Sequence, residues 1–411
     1  MANKVRVYTA DLKEGMYVAE LDRPWVGTPF LFQGFVIQNE EDIKELRTHC
    51  EFVYVDGELS KPDAVPHLLT SKQAVLGDKQ IGVSSFSEAG FRKRLSESYG
   101  VYKDARKWID TMLGDSRLGR SVDTKQARLL VTQLADQVIK NPDALIWLTY
   151  LKERDEYTAT HCINVCILAL SFGRELNLDQ DSLHKLGMGT LLHDIGKMNV
   201  PEEILNKPGR LTKEEFEIIK AHPSDGHAML ITDHEIDPAS LHVVLHHHER
   251  LDGGGYPNGL SEEEIPLLTR ISSIVDVYDA ITSDRCYHDA VSPATALENL
   301  FKWSSGNFDV SLLERFIKCL GIYPIGSVVQ LNSGEVGVVV ATDESRRLKP
   351  VVLLVLNSAG KLYERRRLVN LSSDMWENTG KPLSINKVFQ PDATKINIKT
   401  ILQDELQYST S

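Results

Sequence analysis

The chain of 411 residues has little cysteine, no surplus of positive charge and no long apolar run. Its five cysteines, Cys50, Cys162, Cys166, Cys286 and Cys319, form no CxxC pair, so neither a zinc knuckle nor a disulfide framework is expected. Cys162 and Cys166 stand four apart in an apolar stretch and read as core packing. Lys and Arg number 46 against 58 Asp and Glu, a net charge of -12. That balance argues against a nucleic-acid binder working through a broad basic surface, while leaving room for a local basic pocket around a small phosphate ligand. With no run of about 18 apolar residues, no transmembrane helix is expected. The opening MANKVRVYTADLKEGMYV lacks the apolar core of a signal peptide. A cytoplasmic location follows as the expectation.

A chain of this length calls for two or three domains. Residues 1–65 alternate apolar and polar positions, with Val5, Val7, Met16, Val18, Phe30, Phe32, Phe35 and Ile37 suiting short strands. EEDIKELRTHC reads as a helix with Ile43 and Leu46 on one face, and EFVYVDG as a further strand. A small α+β domain with no cluster of catalytic residue types is expected there. Residues 66–90 are polar and Ser/Gly-containing and read as a linker. Residues 91–140 have helical periodicity in two segments, a connector whose second helix is capped at Ser121 or Asp123. Residues 141–322 read as a mainly helical domain with helix caps near Asp179 or Asp181 and a capping box from Thr212 to Glu215. From Tyr323 the runs become β-branched and are broken by Asn-Ser-Gly and Ser-Ala-Gly turns, which predicts a small antiparallel β appendage over 323–411. Arg365, Arg366 and Arg367 read as a solvated basic run, and the tail after Lys381 as weakly ordered.

The helical domain carries a spaced set of imidazoles and carboxylates. His193 and Asp194 close the apolar run GMGTLL. His222 follows Asp194 by 28 residues, His247 and His248 follow His222 by 25 and 26, and Asp276 follows His248 by 28. A lone histidine on a helix is ordinarily a surface or packed side chain. A polar pair at the end of an apolar run is costly to bury unless something satisfies it, and a metal would. Neutral imidazoles and carboxylates hold borderline first-row divalent ions, and this set has the number and type that a two-metal site needs.

The HD pair at His193-Asp194, HPxxG at His222-Pro223-Ser224-Asp225-Gly226, HHExxDGxGYP from His247 to Pro257 and the downstream Asp276 resemble the motifs of HD-GYP phosphodiesterases. These are a branch of the HD metal-dependent phosphohydrolases. The resemblance covers roughly residues 145 to 325, and residues 1–65 resemble the small domain found in front of many members. It implies a mainly α-helical HD-type catalytic domain. It also implies a metal ligand at His161. His161, His193, Asp194 and Asp276 would then bind one metal, and Asp194, His222, His247 and His248 the other, with Asp194 bridging. Many members have a glutamate four residues before the first histidine. Here Tyr157 stands in that place, so two metals and not three are expected. Iron or manganese is favoured by the number of imidazoles, with nickel or zinc allowed.

The resemblance further implies hydrolysis of cyclic-di-GMP to linear pGpG and/or GMP, a bacterial second-messenger reaction. Asp194 and Lys197 are the catalytic candidates, with Lys197 stabilising a phosphate oxygen if the helix through His193 continues that far. Gly255, Tyr256 and Pro257 belong to a loop at the mouth of the site, Tyr256 offering a ring and a hydroxyl to substrate. Arg285 would bind substrate phosphate or guanine. His288 stands where the family often has lysine, which leaves cyclic GMP-AMP as a rival substrate; a cyclic-dinucleotide sensor without hydrolysis is the rival of another class. Diguanylate cyclases are candidate partners through the GYP loop, and a homodimer is admitted. His227, His234, His242 and His246 fall outside the motifs, and Asp279 and Asp284 read as structural.

Overall fold

The computed structural model describes residues 4–21, 35–37, 39–56, 59–61, 88–151, 157–283, 290–342, 348–373, 381–390, 393–394 and 396–410. The chain divides into two compact units, Met1–Ser85 and Phe86–Ser411, each with its own core. In the first, β1 (Lys4–Tyr8), β2 (Tyr17–Leu21), β3 (Phe35–Val36) and β4 (Phe52–Asp56) form an antiparallel sheet in the order β1-β4-β2-β3. Helix α1 (Glu40–His49) precedes β4, and its Ile43 and Leu46 share a core with Val18, Val53 and Val55. The alternation expected of a small α+β domain is met. Phe30 and Phe32 lie outside the described residues.

The second unit opens with the long helices α2 (Glu88–Arg117) and α3 (Thr124–Lys140). Asp123 caps α3 by accepting from the Gln126 amide. The expected linker over 66–90 therefore gives way to helix by Glu88; its residues 66–87 lie outside the described ones. Helices α4 (Pro142–Leu148), α5 (Tyr157–Glu175), α6 (Gln180–Leu192), α7 (Glu202–Leu205), α8 (Lys213–Lys220), α9 (His222–Leu230), α10 (Pro238–His246), α11 (Leu267–Ile281), α12 (Pro293–Lys302) and α13 (Val310–Leu320) follow. Helix α5 is buried without a break from Ala159 to Gly173, as a helix apolar on every side must be. Cys162 and Cys166 are packed inside it. Asp179 caps α6, and Thr212 and Glu215 form the capping box of α8.

One close approach sets the position of α9. After α6 the chain tightens into a 3-10 turn, Ile195–Asn199. A methyl on Gly196 would lie 2.0 Å from the His222 carbonyl oxygen and 2.4 Å from the Gly226 amide nitrogen. Only glycine lets the start of α9 lie against this turn.

Strands β5 (Val328–Leu331), β6 (Val336–Ala341), β7 (Val351–Leu356), β8 (Leu362–Asn370) and β9 (Ile385–Phe389) form an antiparallel sheet in the order β8-β7-β6-β5-β9. Both faces are used. Val338, Val340 and Leu353 join the core of the helices, while Val339, Val352 and Leu354 pack a second cluster on the other face. The sheet is thus part of the helical core as well as an appendage. Among the described residues, no helix is long and apolar enough to cross a membrane.

Two expectations for this end are corrected. The described residues after Lys381 carry β9 and then α14 (Ile398–Thr410), whose Ile401, Leu402 and Leu406 enter the core beside Phe91 and Leu95 of α2. Arg366 is not a solvated charge. Its guanidinium donates to Asp404 at 2.6 Å and lies 3.6 Å from Glu405. Glu405, only 1% exposed, also accepts from Arg92 Nε at 3.2 Å, and so joins α14 to α2 and β8. The basic run gave no sign of this because the acidic partners of Arg366 lie 38 and 39 residues away. Glu405→Ala is expected to lower stability by about 1–3 kcal/mol, because Arg92 loses its acceptor and Arg366 a counter-charge. A urea midpoint equal to that of the parent protein would show that α14 contributes nothing through this contact.

Candidate metal centre

The expected ligands are drawn from five places. His161 lies in α5, His193 and Asp194 follow the end of α6, and His222 opens α9. His247 and His248 follow α10, and Asp276 lies in α11. They converge. His161, His193 and Asp276 form one group of mutually close ligand atoms, and His222, His247 and His248 form another; His193, Asp194 and His247 form a third that joins them. Asp194 stands between. Its Oδ2 lies 3.4 Å from His193 Nε2 and 3.6 Å from His161 Nε2, and its Oδ1 lies 3.3 Å from His222 Nε2 and 3.9 Å from His247 Nε2. Asp276 lies 2.9 Å from His161 Nε2 through Oδ1 and 3.7 Å from His248 Nδ1 through Oδ2. All but His248 are buried.

Helix ends fix the imidazoles. His193 Nδ1 is 2.7 Å from the Thr190 carbonyl, His222 Nδ1 is 2.6 Å from that of Ile219, and His247 Nδ1 is 2.9 Å from that of Val244. A carbonyl can only accept, so each Nδ1 carries a proton, and in the neutral ring each Nε2 carries a lone pair. The three carbonyls belong to the last turns of α6, α8 and α10, where intrahelical donors run out. The same helix ends carry partial negative charge, which favours a cation nearby.

The fourth histidine is held by a carboxylate. His161 Nδ1 lies 2.8 Å from Asp279 Oδ2, and Asn164 donates at 3.2 Å to the other Asp279 oxygen and at 3.0 Å to the Thr149 carbonyl. Asp279 is thus structural in a specific sense: it turns the Nε2 of His161 toward Asp276. A carboxylate that orients a metal-binding imidazole is a common arrangement. The sequence carried a signal for it, since Asp279 is three residues after Asp276 and so on the same face of α11.

Protonation fits ligation at three of the histidines. Burial lowers the pKa of His193 and carries those of His247 and His248 well below the usual imidazole range, so these rings are neutral. For His161 burial acts downward too, but the hydrogen bonds to Asp276 and Asp279 prevail and the net shift is upward. Burial would raise Asp194, yet the Lys197 ammonium and the close His193 and His222 rings hold it well below the carboxylate range. Asp276 is held down likewise by His161 and His248 against its burial. The Cys162 thiol, pushed well up by burial and by Asp194, stays protonated and offers no thiolate.

The residues fit divalent metals on two further observations. Among the described residues, His193 Nε2 and Asp194 Oδ1 are buried with no hydrogen-bond partner. His222 Nε2 and His247 Nε2, each opposite an Nδ1 bound to a carbonyl, face each other at 3.2 Å. Two lone pairs repel at that distance unless a cation lies between them. Nitrogens bonded to one metal at about 2.1 Å are separated by about 3 Å when they subtend a right angle.

Lys197 reaches the centre by a route other than the expected one. Helix α6 stops at Leu192, and the tighter turn that follows places Lys197 Nζ 2.6 Å from Asp194 Oδ2. The GYP loop closes over His248. The Tyr256 ring lies 4.8 Å from the His248 ring at a 32° tilt, and burial, with Asp276 and Asp194, pushes the Tyr256 pKa up, keeping its hydroxyl protonated. Gly255 packs on the chain before it, where a methyl would lie 2.4 Å from Arg250 N and from Glu249 Cα. Glu249 was not expected to matter. It is 2% exposed and accepts from the amides of Asn258 at 2.7 Å, Gly259 at 3.2 Å and Leu260 at 3.1 Å, so one buried carboxylate holds the far side of the loop. Arg285, His288 and Asp284 lie outside the described residues, as does the side chain of Tyr157. His227, His234, His242 and His246 line a recess of about 450 Å³ that contains none of the ligand candidates, and burial pushes His242 down to about 4.

Asp279→Asn is expected to weaken metal binding about 10–100-fold, because a reversible amide orients His161 less strictly than a carboxylate. Chelator competition with Mn²⁺ would read this, and an unchanged dissociation constant would reduce Asp279 to a packing role.

Three family models match the chain: an HD domain over residues 143–312, a domain of unknown function (DUF3391) over residues 4–127, and a KOW domain associated with HD domain over residues 328–395. A cyclic di-GMP phosphodiesterase of Pseudomonas aeruginosa is 36% identical over 368 residues, covering 89% of this chain and 88% of its own length. A 3'3'-cGAMP-specific phosphodiesterase of Vibrio cholerae is 36% identical over 149 residues, covering 36% of this chain and 34% of its own length. Among solved structures, an HDG"Y"P protein from Bdellovibrio bacteriovorus is similar over 76% of this chain and 98% of that chain, with 14% identity and a TM-score of 0.45. With the motifs assembled around one buried centre and a relative matched along nearly its whole length, the chain belongs to the HD-domain phosphohydrolases of the HD-GYP type, with DUF3391 in front of the HD domain.

Proposed function

We propose that the chain hydrolyses the phosphodiester bonds of cyclic-di-GMP, giving linear pGpG and/or GMP, with two divalent metals held by the clustered side chains. The observation that carries this reading is the placement of Asp194, one oxygen toward each group of imidazoles. The Pseudomonas aeruginosa relative, matched over 89% of the chain, supports the substrate. When bound, such metals supply Lewis acidity at a phosphoryl oxygen and an activated water. The donor set is nitrogen and oxygen, which favours iron or manganese and allows nickel or zinc.

The chain's own residues do the remaining work. His193, His222 and His247 are locked by their Nδ1 protons and need no reorganisation on binding metal. Asp194 holds Lys197 at the edge of the centre, where its ammonium offsets charge that develops on the phosphoryl oxygens. The Tyr256 hydroxyl, kept neutral, donates a hydrogen bond and does not repel a phosphate. The loop pinned by Glu249 keeps Tyr256 over His248 and limits access of bulk water.

Anaerobic purification, metal analysis and turnover of cyclic-di-GMP and cyclic GMP-AMP side by side test the reading. Loading of about two metals per chain with release of pGpG or GMP is expected. Faster turnover of cyclic GMP-AMP would replace the substrate, and full loading with binding but no product would replace hydrolysis by sensing. Asp194→Ala is expected to lose bound metal and to cut turnover on the order of 10³-fold while remaining folded. Turnover at the parent rate by that variant would overturn the site assignment.

A further inference from the structure

A cyclic dinucleotide has two phosphodiester groups, and only one can lie at the metals while it is attacked. The other needs a cation elsewhere. Lys197 is committed to Asp194 at 2.6 Å and is only 14% exposed. Lys220 is placed differently. It ends α8, two residues before His222, and its Nζ lies 5.6 Å from the centre of the Tyr256 ring and 5.4 Å from that of Phe216. Tyr256 in turn covers His248, the most exposed of the ligand candidates. Lys220 therefore stands two ring contacts out from the centre.

Its present partner is easily exchanged. Lys220 Nζ pairs with Glu217 at 2.8 Å, but Glu217 is 67% exposed and the lysine 32%. An exposed pair three residues apart on a helix contributes little and is screened by salt. A phosphate arriving there would meet an ammonium with three donors, held over two aromatic rings that restrict where the ammonium can go.

The geometry points to Lys220 as a substrate-binding residue that takes the phosphodiester of the cyclic dinucleotide that is not being cleaved. This rests on the hydrolysis proposed above and adds to it a division of labour: Lys197 serves the reacting phosphate, and Lys220 serves its counterpart. The role is one of affinity and selectivity, since Lys220 touches no reacting atom.

Two substrates separate the possibilities. Bis(p-nitrophenyl) phosphate has a single phosphodiester and nothing to offer Lys220. Lys220→Ala is expected to raise KM for cyclic-di-GMP about tenfold, with kcat within about twofold, and to leave both constants for bis(p-nitrophenyl) phosphate unchanged. Lys220→Arg should restore most of the affinity, because a guanidinium also binds phosphate. An unchanged KM for the dinucleotide would overturn the assignment. So would an equal loss on both substrates, which would mean that Lys220 acts at the reacting phosphate or on the fold. If the parent enzyme cleaves bis(p-nitrophenyl) phosphate but no cyclic dinucleotide, the substrate reading itself fails, a result distinct from either outcome with the variant.

Discussion

A buried imidazole that has given its Nδ1 proton to a main-chain carbonyl has only a lone pair to present on its other side. His193, His222 and His247 are all in that condition, and two of them face each other at 3.2 Å. Such an arrangement is unfavourable for a bare protein and favourable for a cation binder. Much of the surrounding fold follows from keeping it in place. The three helix ends must meet at one point, and the helices behind them must be packed tightly enough not to relax away from it. Lysine and carboxylate then balance the charge left over.

The ends meet because of small and local features. Gly196 has no side chain, so the turn after Asp194 can touch the backbone of α9 and bring His222 alongside. The capping box of α8 fixes where that helix begins, and its last turn supplies the carbonyl that His222 uses. Asp194 and Asp276 remain ionised despite burial because imidazoles and an ammonium surround them. Either carboxylate alone in such a place would be neutral or would empty the pocket of its partners.

Much of this could be read from the chain because ligand identity and spacing are local properties. His193-Asp194, His222, His247-His248 and Asp276 follow one another at 25 to 28 residues, about the length of a helix and its connection, and all of them reach the centre. What could not be read depends on contacts between distant segments or on a change in helix type. The switch to a 3-10 turn moved Lys197 from the helical face of His193 to Asp194. Glu249 looked like part of a motif, and only the folded loop shows three amides converging on it. Arg366 sat in a row of three arginines whose pattern is that of a solvated strand. Its acidic partners belong to a helix that the polar character of the tail did not announce.

The contact between Arg92 and Glu405 spans 313 residues of sequence. Synthesis proceeds from the amino end, so the first turns of α2 emerge long before the helix that will cover them. Until residues 398–410 have left the ribosome, Phe91 and Leu95 have no α14 to bury them and Arg92 has no Glu405. The start of α2 must therefore remain incompletely packed through most of translation, a period in which its apolar face is open to chaperones and to other nascent chains.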